Sequence, residues 1–393
     1  MSTIDVAVVG SRFGSAFLPL YLSHPGVDRV ALVDVDAEAL RETAQAYRVH
    51  DTFGSLDELL ATDRYDAVHI ASPVRFHVEQ SVAVLRSGRH CASAVPMATT
   101  LEGIERVLDA ERGSGSAYMM METMVFHRAF LYIQDLIESG RMGPLTLLRG
   151  DHIQNLDGFP RYWQGYPPLE YATHIVSPLL ALADARVRRV VGRGSGLLTS
   201  ERRGDFDNPF PVETALMDLD RDRLTAEVTV SFFQTARSYY EGFSVFGHDM
   251  GVAWPLVGED DGLTVFTLEQ GADGRGRPVR VDQVDPPERT DLLPAELAPF
   301  TGAAEFDPGD GGAKVPVLPH HGGSHPHLVH EFVSAISQGR RSRIDGVTAA
   351  TWTAPGICGH ASALAEGDWT TVPDYGRPSR WVTTRSSESS HEG

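Results

Sequence analysis

Short apolar runs alternate with stretches of helical spacing through the first 125 residues. Ile4–Gly10, Val30–Asp36, Ala67–Pro73, His90–Val95 and Ala117–Met124 are apolar on both faces, the pattern of strands buried inside a parallel sheet. Between them, Ala37–Tyr47, Phe76–Arg86 and Thr100–Ala110 space their apolar residues by three and four. This alternation predicts right-handed βαβ units and an α/β, doubly wound domain over residues 1–125. From Leu145 the texture changes. Leu145–Gln154, Val187–Leu198, Val212–Thr235, Phe243–Trp254 and Leu263–Leu268 read as longer strands, several alternating polar with apolar. They predict an α+β domain over 126–384 with an open, largely antiparallel sheet covered on one face. Val281–Pro319, rich in Pro, Gly and Asp, reads as an irregular connection, followed by helices at His327–Gln338 and Val347–Glu366. The polar stretch 385–393 is expected to be disordered.

Composition narrows the classes. At 393 residues, 42% apolar and 22% charged, the chain is long enough for two globular cores. It shows no apolar run of membrane-spanning length and no secretory leader, so a cytoplasmic protein without a membrane partner is expected. A net charge of −19 argues against nucleic acid as a partner. Cys91 and Cys358 offer neither a disulfide framework nor metal-ligand spacing. The five histidines from His320 to His330 match no defined zinc pattern, and no metal is expected. Lys314 is the only lysine in the chain.

Candidate chemistry begins where the first strand meets a helix, in Gly10-Ser11-Arg12-Phe13-Gly14. Glycines there let backbone N–H groups approach a pyrophosphate, which the positive end of the helix stabilises. Arg12 stands at the middle glycine position of the usual fingerprint, and Gly14 comes one residue early. Asp34, at the end of the second strand pattern, would accept from ribose hydroxyls and repel a 2′-phosphate, favouring NAD over NADP. Ser72, Pro73 and His77 close one strand and Ala94-Val95-Pro96 the next, both at the carboxyl edge where doubly wound sheets bind ligands.

The order of these segments resembles the Gfo/Idh/MocA oxidoreductases, and the likeness extends along nearly the whole chain. Ser72, Pro73 and His77 keep that family's Thr/Ser-Pro-x-x-x-His segment, but its Glu-Lys-Pro segment is here Ala94-Val95-Pro96, without the lysine. Tyr162-Trp163 through Glu170-Tyr171-Ala172-Thr173-His174 is similar to the region that supplies the family's acid–base pair. The resemblance implies cofactor contacts from Gly10, Arg12, Phe13, Gly14, Asp34, Ser72, Pro73, His77, Ala94 and Pro96.

It also implies catalysis by His174 and Glu170. With Pro168 as the first residue of a helix, a spacing of four puts that glutamate and that imidazole on one face, where the carboxylate orients the ring. Val95 can neither give nor take a proton, so His174 needs another polar group, with Glu122, Tyr171 and water as the candidates and Lys314 a remoter one. Glu122, His152, Arg161, Tyr162, Trp163, Tyr171 and His321 are the expected substrate contacts, since aromatic faces and paired polar groups suit a sugar or cyclitol. The Arg237–Phe243 segment reads as cross-strand packing rather than chemistry. The implied activity is hydride transfer between NAD and a secondary hydroxyl or ketone of a sugar, glycoside or cyclitol, in a homodimer or homotetramer. Two alternatives remain open: a redox-neutral epimerase or glycoside-cleaving enzyme that keeps its NAD bound, and a non-catalytic nucleotide- or sugar-binding protein.

Overall fold

The computed structural model describes residues 3–221, 223–257, 262–271, 276–309 and 311–381; the polar stretch 385–393 lies outside them. Six parallel strands form the first sheet: β1 (Ile4–Val9), β2 (Val27–Val33), β3 (Asp51–Phe53), β4 (Ala67–Ile70), β5 (His90–Ser93) and β6 (Tyr118–Met120), in the order β3-β2-β1-β4-β5-β6. The order reverses at β1, so the crevice of the fold opens beyond the carboxyl ends of β1 and β4. β3, short and at the edge, has too few apolar residues to show in the sequence pattern. The predicted helices appear as Ala37–Tyr47, His77–Arg86 and Leu101–Ser114, the last begun by a Thr100 hydroxyl that accepts from the Gly103 N–H. Met120 donates its N–H to the Ile344 carbonyl and Ser342 its hydroxyl to Tyr118, so a segment late in the chain returns to this domain.

Among the described residues the second sheet holds nine strands. They are β7 (Leu145–Ile153), β8 (Val187–Ser195), β9 (Val212–Leu219), β10 (Thr225–Ser231), β11 (Tyr240–Gly247), β12 (Met250–Ala253), β13 (Leu263–Leu268), β14 (Val279–Val284) and the two-residue Thr370–Thr371. Only β7 and β10 pair in parallel; the other pairs are antiparallel. One face is covered by two helices, Thr173–Ala183 and Gly346–Leu364. Every residue of the first of these is buried. The approach is close enough to require glycine: a Cβ at Gly192 would lie 2.0 Å from the Gly359 carbonyl oxygen. The opposite face keeps Leu147 and Leu216 exposed.

Two expectations are corrected. The stretch Val281–Pro319 is not wholly irregular: β14 begins just before it, and Ala304–Phe306 pairs with Val315–Val317 as a small hairpin. These strands are short and mostly exposed, so they carry little apolar signal. No α-helix begins at Pro168. Pro168–Tyr171 is a 3₁₀ turn, and the α-helix starts only at Thr173.

Candidate functional site

β1 delivers the chain to Gly10 at φ 98°, and a Cβ there would sit 2.7 Å from the Ala71 carbonyl oxygen. Only glycine satisfies both the left-handed backbone and that contact with the end of β4. The turn that follows, Ser11–Gly14, leaves the N–H groups of Arg12 and Phe13 without a helical acceptor, because the first intrahelical bond is donated by Gly14. Ser11 gives both its N–H and its hydroxyl to Asp34, whose other oxygen accepts from the Asp36 N–H. The carboxylate is thereby fixed beside the glycine turn. Phe13 is half-exposed, and Arg12 reaches solvent beside Asp36. A cradle that a Cβ would fill, with free N–H groups and a placed carboxylate at its edge, fits a dinucleotide. Asp34→Ala should weaken NAD affinity about tenfold or more, the loss of hydrogen bonds to a charged acceptor, and narrow the preference over NADP. Titration calorimetry with both nucleotides measures this.

His77 has a different part from the expected one. It is buried, with Nδ1 2.8 Å from the Pro96 carbonyl and Nε2 2.9 Å from the Ser72 carbonyl, so both nitrogens are spent clamping the loops after β4 and β5 together. It positions Ser72, Pro73, Ala94 and Pro96 rather than touching a ligand.

Between the two sheets lies a cavity of about 320 Å³, lined by Phe13 and Phe17, by Ala94 and Val95 after β5, and by Met121, Thr123, His152, Gln154, Tyr171, His174, Tyr239, His320 and His321. That volume suits a small ligand. His174 forms its polar centre. Its Nδ1 lies 2.8 Å from Glu122 Oε1 and 3.4 Å from Glu241 Oε1, which leaves Nε2 for the cavity. Glu122 also accepts from the Met124 N–H, which fixes its own orientation. Both glutamates are buried behind the ring. Two buried carboxylates without a cation would cost several kcal/mol each, so the arrangement demands a charged imidazole. Burial alone would lower the His174 pKa, but Glu122 and then Glu241 outweigh it and raise the pKa to about 9. For Glu241, burial would raise the pKa, yet His174 and His321 hold it well below the usual carboxylate range.

Glu170 does not meet His174. The 3₁₀ turn advances about 120° per residue rather than 100°, so the spacing of four no longer aligns the two side chains. Glu170 instead sits beside His360 and Glu213, and His360 Nδ1 is 2.7 Å from Glu213 Oε1. Burial raises the Glu170 pKa to about 7, with Glu213 adding to the rise and His360 opposing it. The expected substrate contacts divide. His152, Tyr171 and His321 line the cavity; Glu122 lies behind His174; Arg161, Tyr162 and Trp163 stay outside the lining, with Trp163 packed edge-on to Tyr171. Lys314 pairs with Glu305 on the small hairpin, away from the cavity. Glu241 is the residue that sequence reasoning missed. Its signal was an acid between Tyr240 and Gly242-Phe243, at a strand position whose side chain turns inward. Because Glu170 faces away from the ring, Glu170→Gln should change turnover by less than about threefold, within the range of substitutions remote from chemistry. Steady-state kinetics on the variant measures it.

Despite the histidines, among the described residues no group of three or more His, Cys, Asp or Glu side chains is disposed to hold a metal ion. Among the same residues no helix is long and apolar enough to cross a membrane.

Residues 4–122 match the family model described as an oxidoreductase family with an NAD-binding Rossmann fold. The chain is 28% identical to a 4-carboxy-2-hydroxymuconate-6-semialdehyde dehydrogenase of Sphingobium sp., over 44% of this chain and only 56% of that protein. It is 22% identical to a glycosyl hydrolase family 109 protein of Saccharopolyspora erythraea, over 97% of this chain and 85% of that one. Among solved structures, a levoglucosan dehydrogenase in complex with NADH and L-sorbose shares the fold at a TM-score of 0.76, with 19% identity over 95% of this chain and 100% of that chain. The glycine turn, the placed aspartate and the six-stranded parallel sheet agree with that match, so residues 4–122 form an NAD-binding Rossmann unit similar to that of the Gfo/Idh/MocA oxidoreductases.

Proposed function

We propose that the protein moves a hydride between NAD and a secondary hydroxyl or ketone of a sugar, glycoside or cyclitol, with His174 handling the oxygen's proton. The observation that carries this reading is the His174 ring, oriented through Nδ1 by Glu122 and Glu241 at the wall of a cavity that also touches Ala94 and Val95 on the sheet's carboxyl edge. A bound dinucleotide would supply the hydride acceptor or donor. The N–H groups of Arg12 and Phe13 would hold its pyrophosphate, and Asp34 would accept from the ribose hydroxyls. His174, held as an imidazolium, gives a proton to a ketone oxygen in the reducing direction and supports the negative charge on oxygen in the oxidising one. Tyr171 and Tyr239 offer ring faces and hydroxyls to a polyol. The exposed Leu147 and Leu216 on the open sheet face would meet a second copy of the chain.

A redox-neutral cycle is the second reading. It is favoured by the nearly full-length similarity to a glycosyl hydrolase family 109 protein and by the surplus of acid–base groups around His174. One experiment tests both: purified protein is offered a panel of sugars, glycosides and cyclitols with NAD, following absorbance of the reduced cofactor and product formation together. Steady reduction of added NAD supports the net dehydrogenase. Epimerised or cleaved product without it supports the redox-neutral enzyme. Neither, with the nucleotide bound, would overturn the enzymatic reading.

A further inference from the structure

The histidine-rich segment 320–330 brings a second imidazole into the same cavity. His321 has φ 47° and ψ 53°, and Gly322 and Gly323 continue in the left-handed region. A non-glycine residue there costs on the order of 1–2 kcal/mol. The following glycines make the bend possible: a Cβ at Gly322 would lie 2.2 Å from His127 Nε2, and one at Gly323 would lie 2.4 Å from the Thr301 carbonyl oxygen. The bend carries the His321 ring to the cavity wall, nearly parallel to His174, with ring centres 5.7 Å apart and planes 20° from parallel. One carboxylate holds both rings. Glu241 Oε1 is 3.4 Å from His174 Nδ1, and Glu241 Oε2 is 3.1 Å from His321 Nδ1 while accepting the Tyr239 hydroxyl at 2.9 Å. Both imidazoles therefore turn their Nδ1 sides to Glu241 and keep Nε2 for the ligand.

We propose that His321 is a second proton-transferring residue of this site, accepting the alcohol proton while His174 stays charged, with Glu241 as the positioning residue that joins them. The inference rests on the oxidoreductase reading above. Charge counting motivates it: His174 faces two buried carboxylates and is kept as a cation, so it is a hydrogen-bond donor and a poor acceptor. His321 touches only one of the two carboxylates and lines the cavity, so its Nε2 is the ring nitrogen placed to accept. In oxidation the hydroxyl O–H bond breaks and its proton bonds to His321 Nε2. The electron pair of that bond forms C=O, and the carbon's hydride leaves with its own two electrons for the nicotinamide that the established family cofactor provides. His174 holds the oxygen throughout. Two separate proton sites also serve proton removal beside a ketone, which the redox-neutral cycle needs.

The groups facing His321 are Glu241 and Tyr239, His174, His152, His127 behind Gly322, and His320 and His325 from its own segment. Burial first, and then neighbouring imidazoles, lowers the pKa of His127 to about 3 and that of His325 well below its ordinary value; burial lowers His152 to about 4. Of the groups facing His321, the imidazoles of His127, His152 and His325 are thus held neutral, which leaves His174 and Glu241 as the charged pair beside it.

The test combines ring-nitrogen NMR titration of histidine-labelled protein carrying NADH with the pH dependence of alcohol oxidation, for wild type, His321→Gln and Glu241→Gln. His321→Gln is expected to lose about a hundredfold or more of its oxidation rate at neutral pH, the usual worth of a general base, with unchanged NAD affinity. It should recover toward wild type as pH rises through about 9, where His174 becomes neutral and can serve as acceptor. Glu241→Gln should shift the titrations of both rings. A His321→Gln profile parallel to wild type within about threefold would overturn the proposal while leaving the oxidoreductase reading intact. If wild type oxidises no alcohol, that reading fails instead, and the NMR arm still decides: a Glu241→Gln titration in which only one ring moves refutes the shared carboxylate.

Discussion

Replacing His174 by glutamine is expected to lower kcat/KM about a hundredfold to ten-thousandfold in the reducing direction, while NAD affinity changes by less than about threefold. With Val95 in place of a lysine, no Lys or Arg lines the cavity among the described residues, and ionised carboxylates behind the ring cannot donate. The substitution also strips Glu122 and Glu241 of their shared cation. Breaking a buried pair by removing one partner costs about 3–5 kcal/mol, so the variant should melt well below wild type at pH 7 and regain part of the deficit in mild acid, where a carboxylate takes up a proton. In wild type the sign is fixed by the raised pKa. The stabilisation that His174 contributes is complete below its ordinary value near 6.5 and is lost as pH rises through about 9, and the reducing activity should fall over the same upper limb. Glu241 works at the other end: its contribution is present above the ordinary carboxylate range and is lost only as pH falls through its depressed value. Thermal melts and initial rates from mild acid to about pH 10 measure the upper limb, and melts carried into strong acid measure the lower one. An unaltered rate in the glutamine variant would remove His174 from the proton's path.

Gly10→Ala is expected to cost about 3–5 kcal/mol and to abolish NAD binding. Two penalties combine. The φ of 98° costs an L-residue on the order of 1–2 kcal/mol, and the new methyl would press on the Ala71 carbonyl oxygen at 2.7 Å, a backbone atom that cannot rotate away. Relief requires β1 and the end of β4 to separate, which opens the pyrophosphate cradle. Gly14→Ala is the contrast. Its Cβ would meet the Val8 side chain at 2.6 Å, an atom that can shift with repacking, and its φ is not positive, so its loss of stability should be clearly smaller. Melting temperature and nucleotide calorimetry on the two variants separate backbone strain from crowding. Equal losses in both would mean that the conformation of Gly10 is not what holds the turn.

The nucleotide half was legible because its signals are local and repeated. β1, the glycine turn and Asp34 lie within one βαβ unit, and Ala37–Tyr47 keeps the bounds its apolar spacing predicts, with Asp36 capping its first turn. β3 escaped because three residues at a sheet edge carry no periodicity. In the second half the pattern marked where strands lie but not which charge each one buries. His174 could be placed by its resemblance to a family position. Its partner could not: a 3₁₀ turn and an α-helix share the same text over 168–174, and only the backbone shows that the phase changes before Thr173. The sequence marks Glu122 as a helper in contact with substrate, but its side chain lies one layer deeper, behind His174. Glu241 comes from β11, far along the chain, and its pairing with His174 depends on the register Glu241↔His152 between β11 and β7. Such a long-range pairing is set by the packing of whole elements, and no local pattern encodes it.

The most direct test of the central claim is a crystal structure of the protein with NADH and a polyol that competes with substrate. The account predicts the polyol's reactive hydroxyl within hydrogen-bond distance of His174 Nε2, the nicotinamide ring against Ala94 and Val95, and Glu122 still on Nδ1. A nicotinamide lodged outside the cavity, or a His174 ring turned from the hydroxyl with both nitrogens inside the protein, would contradict it.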